Sequence, residues 1–339
     1  MGLLDEIREQ PDVIARTVEA NAAPAAEVAR IAASCTHAVI AARGTSDNAG
    51  RYAQYVWGTR NRLSVGLTTP SLFSVYDQPP RLDGALVLGI SQSGESPDII
   101  SVLEEGRVQG RPTVAITNEP DSPLAEYADV VIDIEAGEEL AVAATKTYTA
   151  QLAVIALISE TMDGGRGGLD ALASSVTDAL GCEERAAEFA GTLAPMEHCA
   201  VLGRGFNQAT AFEWALKLQE LCYVVAQPFS TADFLHGPIA VVDPDYPVLA
   251  VATHGPAIDD VLDVLRRCVE AGASLVVIGN DLRAEDVTSQ VLGFGKEVDE
   301  WLSPIPAIVV GQLFSYHLTL AKGLDPERPR GLHKVTRTT

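Results

Sequence analysis

Three serines, a glutamine and a glycine fall within the six residues Ser91-Gln92-Ser93-Gly94-Glu95-Ser96. The run follows an unbroken apolar stretch at 85–90. It precedes residues 97–105, which read as a helix with a proline in its first turn. A buried strand, a hydroxyl-rich turn and a helix N-terminus together suit a phosphate. Backbone N–H groups and the helix dipole face the anion, and Ser and Gln side chains add donors. Ser and Gly are also common in ordinary strand-to-helix turns, and it is the density of hydroxyls that favours a site here. The loop itself holds no Lys or Arg, so the expected site takes its anion by dipoles rather than by charge. Gly44-Thr45-Ser46 closes another strand-like run, so Thr45 and Ser46 are expected to converge on the same anion.

Reactive side chains cluster later. Residues 209–221 read as a helix on which Glu213, Lys217 and Glu220 share one face. A solvated Glu–Lys–Glu ladder would look the same. Downstream, His236 stands just before Gly237-Pro238 after a polar loop, unlike His317 in its apolar helix. A carboxylate and an imidazole beside a sugar phosphate can move protons between its carbons and oxygens. The chain ends in a Pro-rich basic stretch, 323–334, whose Lys334 could fold over a site and deliver an amine. Such tails are more often solvated.

These residues need a scaffold. Short apolar runs at 39–41, 86–88, 114–116, 130–132, 201–202, 248–251 and 275–278 alternate with helical patterns. That alternation predicts parallel strands buried on both faces, an α/β doubly wound architecture. The pattern repeats: Ala42-Arg43-Gly44 is answered by Gly203-Arg204-Gly205, and Thr117-Asn118 by Gly279-Asn280, at a nearly constant offset. The copies differ where chemistry is expected. Ser91-Gln92-Ser93-Gly94 corresponds to Thr253-His254-Gly255-Pro256, so one phosphate site per chain is expected, in the first copy. The glycine-dense stretch 163–168 marks the join. The expected division is 1–165 for the first domain with its phosphate loop, 166–324 for the second with the Glu and His, and 325–339 for a tail closing on the site.

Composition narrows the partners. A hydrophobic fraction of 47% and a charged fraction of 21% over 339 residues describe a globular protein long enough for two domains. The net charge of -22 argues against nucleic acid and anionic membranes. The five cysteines form no CxxC pair, so no zinc site or disulfide framework is suggested. No signal peptide is evident and no apolar run is counted as long enough to span a membrane, so the expected location is cytoplasmic.

Taken in order, Ala42–Ala49, the 91–96 loop, Val142-Ala143-Ala144-Thr145-Lys146, residues 215–220, Leu235-His236-Gly237-Pro238 and Lys334 resemble the tandem members of the SIS (sugar isomerase) superfamily. The resemblance runs from Glu6 to Lys334. It takes in the isomerase half of glutamine–fructose-6-phosphate amidotransferases and, more closely, the SIS-type glucosamine-6-phosphate deaminases. It implies two tandem SIS domains and assigns roles. Ser46, Ser91, Gln92, Ser93 and Ser96 would hold the 6-phosphate. Glu220 would move a proton between C1 and C2, and His236 would help open the sugar ring, reaching a neighbouring subunit's site in a homodimer. Lys334 would close over the open-chain sugar, and Lys217 would support the sugar hydroxyls or the Glu220 carboxylate. Ala143 and Thr145 would line the sugar.

Arg43, Ala144 and Gln219 depart from the synthase pattern of Cys, Ser and Lys, and Arg43 with Asp47-Asn48 suits the deaminase-like branch. The sequence carries no glutaminase segment, which favours amino-sugar breakdown. The expected reaction is glucosamine 6-phosphate plus water to fructose 6-phosphate plus ammonia, with no metal or cofactor. Alternatives are a lyase eliminating at C3 of an N-acetylhexosamine 6-phosphate, a fructosamine-phosphate deglycase, and a non-catalytic sugar-phosphate sensor.

Overall fold

The computed structural model describes residues 2–165, 167–295 and 298–334. Arg166, at the expected join, and the tail beyond Lys334 lie outside the described residues.

Ten strands make two five-stranded sheets, and every pairing is parallel among the described residues. The first sheet holds β1 (His37–Ala41), β2 (Ser64–Leu67), β3 (Ala85–Ile90), β4 (Thr113–Thr117) and β5 (Val130–Asp133) in the order β2-β1-β3-β4-β5. The second holds β6 (His198–Gly203), β7 (Val225–Ser230), β8 (Pro247–Ala252), β9 (Ser274–Gly279) and β10 (Val291–Gly293) in the order β10-β9-β8-β6-β7. Counted within its own half, the second order is the same as the first. The duplication implied by the matched turns is therefore present in the topology.

Parallel neighbours need long crossovers, and helices supply them. Gly44–Asn61 joins β1 to β2, and Pro97–Val108 joins β3 to β4. Gln208–Cys222 joins β6 to β7, and Ile258–Glu270 joins β8 to β9. Helices on both faces bury the central strands completely: all residues of β3 and β4 are buried. That is why these strands read as continuous apolar runs.

β2, β7 and β10 were not anticipated, and all three are sheet edges. An edge strand is covered on fewer sides, so its apolar run is short or broken: β2 is Ser-Val-Gly-Leu and β7 carries Gln227 and Pro228. Proline, which lacks an N–H for the ladder, is tolerated at such an edge.

The chain forms two compact units. The first-sheet unit comprises Asp12–Glu139 and Lys146–Leu169, with His333 and Lys334 at its described end. The second-sheet unit comprises the residues up to Pro11, Leu140–Thr145 and Asp170–Leu332. Each has its own apolar core, one around Val87, Ile99, Leu103 and Leu124, the other around Leu202, Val248, Leu265 and Val277.

One expectation needs correcting. The helix Pro304–Ala321 is long and apolar enough, by length and composition, to cross a membrane. Its 18-residue span is 78% buried inside the protein, which is the setting of a core helix. It is apolar over most of its surface because neighbours cover most of it, leaving the C-terminal turns around Tyr316, His317 and Leu320 partly open.

Candidate functional site

In the first-sheet unit, β1 and β3 lie side by side, with Ala41 level with Gly89. Their C-terminal ends therefore bring the turn at Thr45 and Ser46 beside the loop 91–96. Gly44 takes φ 53, a left-handed conformation that starts the helix Gly44–Asn61 directly from the strand. Ser46 is buried, and its Oγ accepts from Gln151 Nε2 at 3.1 Å.

The loop 91–96 is shaped from within. Gly94 N donates to Ser91 Oγ at 3.1 Å, and Glu95 N donates to Ser93 Oγ at 3.3 Å. Asn118 N and Thr117 Oγ1 both donate to the Gln92 carbonyl, at 3.1 and 3.3 Å. Gly94, at φ 62, packs its Cα against Ser122. Ser96 is the N-cap of Pro97–Val108, with Pro97 in the first turn. A hydroxyl that accepts still has its own hydrogen to donate. Ser91 and Ser93 can thus brace the loop and face an anion together.

The same neighbourhood holds a cation that loop composition alone did not reveal. Arg43 Nε donates to Asp98 Oδ2 at 2.7 Å, and the Asp98 side chain is fully buried. Arg43 ends the β1 turn and Asp98 sits in the first turn of the helix after β3, so the pair ties the two turns together. The signal was Arg43 itself, repeated as Arg204 in the second copy.

In the second-sheet unit, the ladder on Gln208–Cys222 is not a solvated face. Glu213 and Lys217 are buried, and Glu220 is half-buried. Lys217 Nζ lies 2.5 Å from Glu220 Oε2 and 3.3 Å from Glu213 Oε1. Burial alone would depress the Lys217 pKa, but Glu220 and Glu213 together outweigh it and hold the ammonium well above the ordinary lysine range. Lys217 thus contacts the Glu220 carboxylate directly.

His236 caps the short helix Thr231–Leu235 and is exposed. Its ring makes no hydrogen bond or ion pair with Glu220 or Lys217 among the described residues. Ala143 and Thr145 are buried in the same unit. Their segment is positioned by Glu6, which is fully buried and accepts from the backbone N–H groups of Leu140 and Ala141. Gln10 reaches Gln312 Oε1 at 2.8 Å, and Gln312 Nε2 in turn donates to the Thr145 carbonyl at 3.4 Å. The N-terminal residues of the resembling stretch thus have a structural purpose.

Lys334, in the first-sheet unit, pairs with Glu139 Oε2 at 2.7 Å. The Glu139 side chain is fully buried and also accepts from Thr147 N and Thr147 Oγ1, at 3.2 and 2.8 Å. Glu139 was missed from the sequence, where it stands inconspicuously in an acidic run just before Val142.

The second copy of the anion loop is filled differently. The Glu300 carboxylate packs against Gly255, where a Cβ would overlap it, and lies near Gly205. Burial pushes the Glu300 pKa up, with His254 opposing the shift. An acidic group thus stands at the turns that correspond to the hydroxyl-rich loop of the first copy.

The SIS domain model matches residues 32–160 and 192–284 of the chain. The chain belongs to the SIS domain family. A solved structure of a proposed phosphosugar isomerase from Silicibacter pomeroyi DSS-3 is 31% identical to this SIS protein. It has a TM-score of 0.85 and covers 96% of this chain and 100% of its own. The C-terminal domain of glucosamine-fructose-6-phosphate aminotransferase from Francisella tularensis is 28% identical with a TM-score of 0.88, over 96% of this chain and 98% of that one. A glutamine–fructose-6-phosphate aminotransferase (isomerizing) of Pyrococcus horikoshii is 32% identical over 342 residues, 98% of this chain. The chain spans 57% of that relative's length.

Proposed function

We propose that this SIS protein is a sugar-phosphate isomerase-type enzyme that moves a proton between C1 and C2 of a hexosamine 6-phosphate. Its overall reaction converts glucosamine 6-phosphate and water to fructose 6-phosphate and ammonia. The observation that carries the reading is the Glu220 carboxylate: half-buried, with Oε2 held by the buried Lys217 ammonium and Oε1 left without a partner among the described residues. A carboxylate fixed in this way can take a proton from carbon and give it back without turning away.

In the proposed sequence the sugar ring opens, with His236 assisting the proton transfer at the ring oxygen. Glu220 removes the C2 proton, and the electron pair moves onto the C1 carbonyl oxygen, which takes a proton from water to give an enaminol. Glu220 returns the proton at C1 as the nitrogen gives one up to water, leaving an imine at C2. Water adds to that imine and ammonia leaves, giving the ketose. The phosphate is held at Thr45, Ser46 and residues 91–96, at the end of the substrate away from C1 and C2, and its binding energy helps orient the reacting carbons. Ala143 and Thr145 line the sugar, and Lys334 closes over the open chain. The exposed His236 serves a neighbouring copy, so the working form is a homodimer. The ligand is a small sugar phosphate, neither nucleic acid nor membrane, and the protein acts in the cytoplasm. Support comes from the isomerising and phosphosugar names of its relatives and from the set of side chains around Glu220.

The test is incubation of the purified chain with glucosamine 6-phosphate, with ammonia and fructose 6-phosphate measured together. Equal amounts of both are expected, and Glu220→Gln should slow their release by roughly 100- to 10,000-fold. Absence of both products, or release that Glu220→Gln leaves unchanged, overturns the reading. An unsaturated product from N-acetylglucosamine 6-phosphate would replace it with elimination at C3.

A further inference from the structure

A buried carboxylate next to an anion site is an electrostatic problem. Asp98 is fully buried in the first turn of Pro97–Val108, the helix whose N-terminus follows the loop 91–96. A phosphate seated on that loop would meet the repulsion of a nearby desolvated charge, where the local dielectric screens little. Arg43 answers it through Nε at 2.7 Å.

The geometry of that contact leaves the rest of the guanidinium unused. Asp98 Oδ2 takes Nε, Asp98 Oδ1 takes the backbone N–H of Ile99, and Arg43 Nη1 and Nη2 have no hydrogen-bond partner among the described residues. The Arg43 side chain is half-exposed at the joint of the two turns that carry Thr45, Ser46 and residues 91–96. A guanidinium presents its donors in a rigid fork, so fixing Nε also fixes where the other donors point.

The second copy serves as an internal comparison. Arg204 has almost the same backbone as Arg43, φ -139 and ψ 148 against φ -138 and ψ 153. Asp259 is the second residue of its helix Ile258–Glu270, as Asp98 is of its own. Yet Arg204 Nη1 goes to Ser230 Oγ at 3.3 Å, and Asp259 pairs with Arg283 at 2.7 Å. Among the described residues, this Arg–Asp link is found only in the copy with the hydroxyl-rich loop. Beside the other loop stands the Glu300 carboxylate.

We propose that Arg43, aligned by Asp98, is a ligand-binding residue that gives its Nη donors to the substrate's phosphate dianion and so adds charge to a site otherwise built from dipoles. This rests on the reading of residues 91–96 as the phosphate loop. Charge-assisted hydrogen bonds to a dianion are about twice as strong as neutral ones, so Arg43 sets the preference for phosphorylated over free sugars.

The experiment measures binding, independent of turnover. Fructose 6-phosphate and fructose are titrated into the intact protein by calorimetry at pH 5.5 and 7.5, which bracket the second phosphate pKa of about 6. The native chain should bind the phosphate ester more tightly at the higher pH and show no comparable affinity for fructose. Arg43→Gln should lose roughly 10- to 100-fold in affinity at pH 7.5 and most of the pH-dependent gain. Arg43→Lys keeps the charge and the fold, and should recover part of both. If Arg43→Gln and Arg43→Lys stay within twofold of native while Ser91→Ala weakens binding, Arg43 is not a phosphate ligand and the loop reading stands. If a second change, Asp98→Asn, restores Arg43→Gln fully, Arg43 merely neutralises Asp98 and the proposed contact is overturned. If the native chain does not bind fructose 6-phosphate, or Ser91→Ala binds as well as native, the loop reading itself fails and this inference falls with it.

Discussion

Lys217 holds Glu220 from below: its Nζ lies 2.5 Å from Glu220 Oε2, while the Lys217 side chain is 1% exposed and that of Glu220 is 24% exposed. Glu213, fully buried one turn earlier, takes the same ammonium at 3.3 Å. The i, i+4 and i+7 spacing therefore builds a gradient of burial along one helix face. Two carboxylates share one ammonium, and the outer carboxylate alone reaches solvent.

Removing that ammonium should be costly. Lys217→Met keeps the length and apolar stem but removes the ammonium that the buried Glu213 and half-buried Glu220 carboxylates share. Loss of one partner from a buried pair typically costs about 3–5 kcal/mol. Urea unfolding should show a loss of that order, and a Glu213→Gln, Lys217→Met double variant should recover much of it. The pH dependence has a definite sign. The Lys217 pKa is raised on folding, so its stabilisation is complete below the ordinary lysine value of about 10.4 and is lost as pH rises beyond it. Native protein should lose stability above about pH 10, and Lys217→Met should lack that particular contribution. An unchanged midpoint in Lys217→Met would contradict the account.

The central strands, the duplication and the hydroxyl-rich loop were legible in the sequence because each leaves a local trace. β3 and β4 are covered on both faces and so read as apolar runs, and Arg43-Gly44 and Arg204-Gly205 repeat because both turns need a left-handed glycine. The rest depended on contacts distant in sequence. Nothing near Glu139 announces Lys334, which lies 195 residues away, and nothing near Arg43 announces Asp98, 55 residues on. The edge strands β2, β7 and β10 escaped because partial cover removes the pattern that marks a strand. Whether Glu213, Lys217 and Glu220 face water or protein is likewise invisible to helical periodicity. A solvated ladder and a buried one have the same spacing.

Gly94 offers a test of loop shape. Its φ of 62 is unfavourable for residues with a Cβ, and an added Cβ would overlap the Ser122 side chain. Its carbonyl also accepts from Leu124 N at 3.1 Å, so the loop has little room to yield. Gly94→Ala should cost about 1–2 kcal/mol in stability from the left-handed backbone alone. It should raise KM for the sugar phosphate at least roughly tenfold while kcat falls less, because the phosphate is at the opposite end of the substrate from C1 and C2. A variant with native KM would mean that the loop's shape is not what holds the phosphate.

Glu139 tests what restrains Lys334. The carboxylate is fully buried and already takes two bonds from Thr147, so its shape is set before Lys334 arrives at 2.7 Å. Glu139→Gln preserves that shape, because its amide oxygen can keep the bond from Thr147 N while its amide nitrogen donates to Thr147 Oγ1, and it removes the charge that holds the ammonium. A charge-assisted bond of this kind is worth about 1.5–3 kcal/mol, which suffices to populate a released Lys334 at least roughly tenfold more often. Reductive methylation followed by mass spectrometry should show Lys334 modified several-fold faster in Glu139→Gln than in native protein. Lys217, buried elsewhere, should stay protected in both and serves as the internal control. Equal rates at Lys334 would mean that something other than Glu139 restrains it. If Lys334 also closes over the open-chain sugar, saturating glucosamine 6-phosphate should slow its modification in both proteins and narrow the gap between them.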